Sequence, residues 1–303
     1  MKSKKLSKNN KIFLISFLVM LVIGLTIVAF GTSAPELAVS VTAALKNSND
    51  IAIGNVVGSN MFNLLVVIGM SALLCPLTVK KSMIKKDYPL SILAAVMLGI
   101  LAMDQIFRGA DKMTLGRMDG VILLAAFAVF MFLTVREGLK GRQESLEGEE
   151  EIEVKFTMGM SILVSVIGLA GIVIGGDLTV DGAKEIARQF GLSEALIGLT
   201  IVALGTSLPE LVTSIVAARK GESDISLGNV VGSNIFNIFL ILGVSATISP
   251  MTVTNTYLYD IGLLILVSVV VFIPIALTKK VGRTMGGLMA ASYIAYTAYL
   301  IMR

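Results

Sequence analysis

Apolar residues run along this chain in long blocks, and polar residues gather in short clusters between them. The blocks fall near residues 12–46, 54–75, 88–103, 119–136, 157–177, 193–219, 226–249, 257–278 and 285–302. A helix needs about 20 predominantly apolar residues to cross a hydrocarbon core of ~30 Å. Each block is therefore read as a membrane-crossing helix. A membrane β-barrel would alternate apolar and polar positions in segments of roughly ten residues, and the blocks show no such alternation. A water-soluble helical protein would not carry so many long apolar runs. The pattern predicts an all-α polytopic membrane protein with about nine transmembrane helices.

The charges support this reading and orient it. Only 15% of the 303 residues are charged, against about a quarter in a soluble domain. With the N-terminus in the cytoplasm, 18 of the 25 Lys and Arg fall in segments on the cytoplasmic side and seven on the other. That is the positive-inside bias, and nine spans then leave the C-terminus outside. The compact layout suggests the cell (plasma) membrane. The net charge of +4 comes from these loops, so it does not point to nucleic acid. Residues 1–11 form a basic lead into the first helix; no small-residue cleavage site follows.

An internal repeat runs through the blocks. Residues 24–37, GLTIVAFGTSAPEL, match 198–211, GLTIVALGTSLPEL, at twelve of fourteen positions. Residues 54–63, GNVVGSNMFN, match 228–237, GNVVGSNIFN, at nine of ten. Both matches lie 174 residues apart. The second copy of the motif helix comes five spans after the first, so the two enter the membrane from opposite faces. Inverted repeats with helix-breaking Gly and Pro at matching places point to an ion site near the bilayer midplane.

The motifs carry suitable chemistry. Pro35 has no N–H, so the carbonyl of Gly31 loses its helical partner. Such carbonyls are tolerated at membrane depth only inside protein or beside a wet cavity. Thr32, Ser33 and Glu36 share one helix face, as do Thr206, Ser207 and Glu210 in the copy. An intramembrane carboxylate is costly and is a functional candidate by default. Asn55, Ser59 and Asn63 line one side of the second motif helix, and Asn229, Ser233 and Asn237 line its copy. Ser59, Asn63, Ser233 and Asn237 are read as ligands. Asn55, Asn60, Asn229 and Asn234 stay open between ligation and interhelical hydrogen bonding. Gly54, Gly58, Gly228 and Gly232 permit close helix approach.

The chain has no histidine and one cysteine, Cys75. A zinc site of His and Cys is excluded, and oxygen ligands favour hard cations. Two carboxylates give a formal charge of −2, which one Ca²⁺ or two monovalent ions cancel. An empty, charged site would cross a low-dielectric barrier at prohibitive cost, so access would switch only when the site is filled. That is antiport. Protonation of one Glu in the empty site would loosen the coupling.

GTSxPE and GNVVGSN, in that order and twice, resemble the α-repeats of the sodium/calcium exchanger family in the calcium/cation antiporter superfamily, of the prokaryotic calcium/sodium antiporter type. The resemblance is strong over residues 24–63 and 198–237. It implies the inverted-repeat exchanger fold, with ten helices in two sets of five. The block at 157–177 has no counterpart in the first half, so the family's first helix is expected to be missing here. The resemblance further implies Glu36 and Glu210 as the main carboxylate ligands. Thr32, Ser33, Ser59, Asn63, Thr206, Ser207, Ser233 and Asn237 would complete the sites, with the carbonyls of Ala29 and Ala203 serving sodium. Some members carry Asp where this chain has Asn237. Proton/calcium exchangers place Glu in the second motif, where this chain has Gly58 and Gly232.

The expected organisation is a first exchanger repeat of four helices over 1–135, an acidic cytoplasmic linker over 136–156, and a second repeat of five helices over 157–303. The expected function is exchange of calcium for sodium by alternating access, with no enzymatic activity and no cofactor. The partners are the lipid bilayer and the transported Ca²⁺ and Na⁺. Alternatives are a proton- or potassium-coupled (H⁺ or K⁺) cation/calcium exchanger, or a non-transporting ion-sensing membrane protein. With no histidine base and no Ser–Lys pair inside the spans, an intramembrane hydrolase is disfavoured.

Overall fold

The computed structural model describes residues 31–46, 48–103, 113–145 and 194–302, with isolated positions between 160 and 191. The expected span at 157–177, most of the block at 12–46 and Ala29 lie outside the described residues. Five described helices are long and apolar enough to cross a membrane, and a bent pair, Leu199–Thr206 with Leu208–Arg219, forms a sixth.

The first motif begins helix α1 (Ala34–Leu45) with Pro35 in its first turn. Proline fits there because no intrahelical N–H is required. In the second half α6 (Glu194–Ile197) passes through a wide π turn, Gly198–Val202, into α7 (Ala203–Thr206). The chain then bends by 49° into α8 (Leu208–Arg219). Ser33 and Ser207 sit at the two breaks with nearly equal backbone angles, φ −86° ψ 5° and φ −89° ψ 7°. The predicted Pro breaks are thus real and alike in both halves.

The second motif forms α2 (Asn49–Phe62), which runs through a π turn at Asn63–Val67 into α3 (Ile68–Leu74). Its copy comprises α9 (Ser223–Phe236), a π turn at Asn237–Leu242 and α10 (Gly243–Ile248). Nothing in the apolar pattern foretells these turns, which often mark functional positions. Here each begins at an asparagine of the motif. The remaining helices are α4 (Tyr88–Leu101), α5 (Arg117–Ser145), α11 (Asn255–Thr278) and α12 (Arg283–Met302). Helix α5 continues past the apolar block that ends near Arg136. Its final stretch, REGLKGRQES, has mostly good helix formers, so the end of the apolar run does not end the helix.

The halves clasp each other. Four two-residue strands make two small ladders. Leu77–Thr78 (β1) pairs antiparallel with Lys280–Val281 (β4), and Thr114–Leu115 (β2) pairs with Met251–Thr252 (β3). Each ladder joins loops that the alternation of spans puts on one side. Beyond β1, Val79 N–H donates to the Lys279 carbonyl at 2.9 Å; beyond β3, Val253 N–H donates to the Met113 carbonyl at 2.9 Å.

From each ladder a last helix crosses onto the other half. Helix α12 packs on α3, and α5 packs on α10. Both crossings are glycine to glycine. A Cβ on Gly286 would lie 2.5 Å from the Gly69 carbonyl oxygen, and one on Gly120 would lie 2.7 Å from the Gly243 carbonyl oxygen. Phe62 meets Tyr293 edge-on at 5.4 Å, and Phe236 meets Phe127 edge-on at 4.9 Å. Edge-to-face pairs add about 0.5–1.5 kcal/mol each beyond burial. The inverted repeat therefore extends through the last helix, although the sequence matches stop at residue 237.

Polarity is distributed as a bilayer requires. Leu266, Val270, Ile273 and Leu277 on α11, and Leu288, Ile294 and Ile301 on α12, are exposed. The fully buried positions include Glu36, Glu210 and six motif Ser and Asn residues. Apolar groups outside and polar groups inside invert the order of a water-soluble protein, which keeps charged residues exposed unless they are paired.

Candidate cation site

The two helix breaks meet. A serine at a helix N-cap ordinarily accepts a hydrogen bond from its own first turn. Ser33 and Ser207 make no such bond. Ser33 instead donates to Glu210 Oε1 at 3.0 Å, and Ser207 donates to Glu36 Oε1 at 2.9 Å. Each carboxylate is thus held by the serine at the other half's break. Glu36 and Glu210 lie in the first turns of α1 and α8, where the helix dipole favours negative charge.

The second motif closes around this pair. Ser233 lies 3.1 Å from Glu210 Oε1 and 2.9 Å from Ser33 Oγ. Ser59 turns the other way, 3.4 Å from both the Ala203 carbonyl and Thr206 Oγ1. The halves are therefore not equivalent at this point. Thr206 donates to Asn55 Oδ1 at 3.1 Å, and Thr32 donates to Asn229 Oδ1 at 3.4 Å.

All four asparagines that the sequence leaves open make interhelical hydrogen bonds. Asn55 donates to the Glu36 carbonyl at 3.2 Å and to Ser40 Oγ at 2.9 Å. Asn229 repeats this with the Glu210 carbonyl at 3.3 Å and Ser214 Oγ at 3.0 Å. Asn60 and Asn234 bridge the two halves through each other's backbone carbonyls, at 3.2 and 3.3 Å. Ser40 and Ser214 lie outside the two motifs. Their signal was there: both are serine, and they lie 174 residues apart like the motifs.

Four buried side-chain acceptors of this cluster have no hydrogen-bond donor among the described residues: Glu36 Oε2, Glu210 Oε2, Asn63 Oδ1 and Asn237 Oδ1. Leaving one such group unsatisfied costs about 1–3 kcal/mol, and more when it is charged. Lys80, on an exposed loop, pairs with Asp224 in the first turn of α9 at 2.6 Å. There Asp224 hydrogen-bonds the Lys80 ammonium and raises its pKa above the ordinary lysine value. No described cationic side chain reaches Glu36 or Glu210. Two carboxylates, two amide oxygens, hydroxyls and the Ala203 carbonyl make an all-oxygen donor set of the kind that suits a hard cation. All the expected site residues except Ala29, which lies outside the described residues, are either in this cluster or hydrogen-bonded to it.

An inverted-repeat helical membrane protein with a buried oxygen-lined cluster is the class that fold and site define. The sequence pattern of the sodium/calcium exchanger protein family matches residues 14–136 and 160–302. The chain is 34% identical to the sodium/calcium exchanger MaX1 of Methanosarcina acetivorans, over 92% of this chain and 88% of that protein. It is 35% identical to the inner membrane protein YrbG of Escherichia coli K12, over 92% of this chain and 86% of YrbG. A solved structure of the sodium-calcium exchanger NCX_Mj superposes with a TM-score of 0.73 at 34% identity, covering 91% of this chain and 86% of that one. The chain belongs to the sodium/calcium exchanger family.

Proposed function

We propose that this protein exchanges calcium for sodium across the cell membrane, by alternating access to the cluster of Glu36 and Glu210. The observation that carries this reading is the set of four buried oxygens, shared between the halves, that have no donor among the described residues. Glu36, Glu210, Asn63 and Asn237 ligate the ion through those oxygens. Thr32, Ser33, Ser59, Thr206, Ser207 and Ser233 complete the sites, with the carbonyls of Ala203 and Ala29 on the sodium positions.

Charge balance supports this transport mode. With both carboxylates ionised, one Ca²⁺ or two Na⁺ leave the site neutral, and only a neutral site passes the barrier between the two faces cheaply. The halves, 1–135 and 157–303 joined by the acidic segment 136–156, supply one carboxylate each. Rocking of one half against the other then exposes the site to each side in turn. The N-terminus lies in the cytoplasm and the C-terminus outside, the orientation that the Lys and Arg distribution supports.

The test is calcium uptake into proteoliposomes of the purified protein under imposed gradients. Uptake is expected when sodium is loaded inside and diluted outside. It is not expected with a proton gradient alone, and potassium is not expected to be required. Uptake driven by protons or dependent on potassium would replace the coupling ion. Calcium binding without flux under any gradient would point to an ion sensor. Absence of both would overturn the reading.

A further inference from the structure

We propose that Asn60 and Asn234 are positioning residues that set which end of the Asn63 and Asn237 amides faces the ion. This rests on the cation site proposed above and names residues that act on it without touching the ion.

An asparagine amide has one donor end and one acceptor end, and a 180° turn exchanges them. A backbone carbonyl can only accept, so it fixes any amide that bonds to it. Asn60 Nδ2 donates to the Asn234 carbonyl at 3.2 Å. Its Oδ1 must then point away, and there it accepts from Asn237 Nδ2 at 2.9 Å. Turning the Asn237 amide would set two oxygens against each other at that distance. Asn237 Oδ1 is thereby committed to the opposite direction, where it is buried and has no donor among the described residues.

The other half repeats the chain of bonds. Asn234 Nδ2 donates to the Asn60 carbonyl at 3.3 Å, and Asn234 Oδ1 accepts from Asn63 Nδ2 at 3.1 Å. Asn63 Oδ1 is left without a donor among the described residues. All the residues are buried. The two devices differ in one respect. Asn63 Nδ2 has a second acceptor, Ser233 Oγ at 3.2 Å, whereas Asn237 Nδ2 has Asn60 as its one acceptor among the described residues. Losing Asn60 therefore frees Asn237 to present its NH₂ to the cation, while losing Asn234 leaves Asn63 partly held.

Calcium titration calorimetry on the detergent-purified full chain, with CaCl₂ as the probe, separates the outcomes. Asn60→Leu is expected to weaken calcium binding about 10- to 100-fold, as loss of a residue orienting a ligand does. Asn234→Leu should cost less. In an Asn237→Ala background no amide is left to orient, so Asn60→Leu should change affinity by less than about twofold. If Asn60→Leu does not elute as a single species, Asn60→Ser, too short to reach Asn237, takes its place in the same cycle. Equal losses in both backgrounds, or no loss in either, would overturn the positioning role. A wild-type chain that binds no calcium would instead overturn the cation site itself.

Discussion

Replacing Glu36 by Gln changes almost nothing in shape and removes one of the two buried charges. Oε1 can go on accepting from Ser207 at 2.9 Å. The amide nitrogen then takes the place of Oε2, the oxygen that lacks a donor, and turns a donor towards the cation. Truncating one member of a buried, hydrogen-bonded charge pair costs about 2–5 kcal/mol. At about 1.4 kcal/mol per decade, calcium affinity should fall roughly 30-fold to several-thousand-fold. The loss should be selective as well as large. With one carboxylate left, a bound Ca²⁺ gives the site a net charge of +1 and a single Na⁺ gives none, so sodium binding should suffer less. Calorimetry with CaCl₂ and with NaCl on the purified protein reads both numbers, and radiolabelled calcium uptake reads the transport defect. A monodisperse Glu36→Gln protein that binds calcium within threefold of wild type would show that this carboxylate is not a ligand.

Glu210→Gln should lose at least as much calcium affinity, because two serine hydroxyls pin Glu210 Oε1 and so commit the amide nitrogen to the ion side; calorimetry again decides. Gly286→Ala should lower thermal stability by about 1–3 kcal/mol, the usual cost of overpacking, since its Cβ would sit 2.5 Å from the Gly69 carbonyl oxygen. Gly287→Ala, whose Cβ would meet only Leu73 at 3.8 Å, should be neutral in the same melting assay. Gly58→Ala should cut transport, since its Cβ would press on the Leu199 carbonyl and lie 2.8 Å from the Ala203 Cβ, beside a carbonyl of the site. Lys80→Ala should change stability by less than about 1 kcal/mol, because the exposed pair with Asp224 is screened by solvent. The raised lysine pKa means that this small contribution persists at neutral pH and fades only as alkaline pH passes the folded-state value; melting curves from pH 7 to 11 check the sign.

The constant spacing of the motifs made much of this legible. Residues in register 174 apart gave the inverted halves, and helix breakers beside Glu36 and Glu210 pointed to the candidate site. Three things were not legible. The π turns at Asn63 and Asn237 leave no mark on apolar periodicity, since one extra residue per turn is invisible against an almost uniformly apolar background. The division of labour among the asparagines depends on which atom each amide meets, and residue type cannot reveal that. The repeat also seemed to stop at residue 237, because the later loop is shorter by eight residues in the second half. Gly-Arg-x-x-Gly at 116–120 and 282–286 is the same signal at a spacing of 166, and only the paired glycine crossings show that it belongs to the fold.

Those crossings bear on how the protein is made. Helix α5 emerges from the ribosome long before α10, the helix that Gly120 packs against, and α3 enters the bilayer well ahead of its partner α12. Neither half can bury its glycine seam with material of its own. During synthesis the early half must wait in lipid with both glycine faces open, until α10 covers Gly120 and α12 covers Gly69.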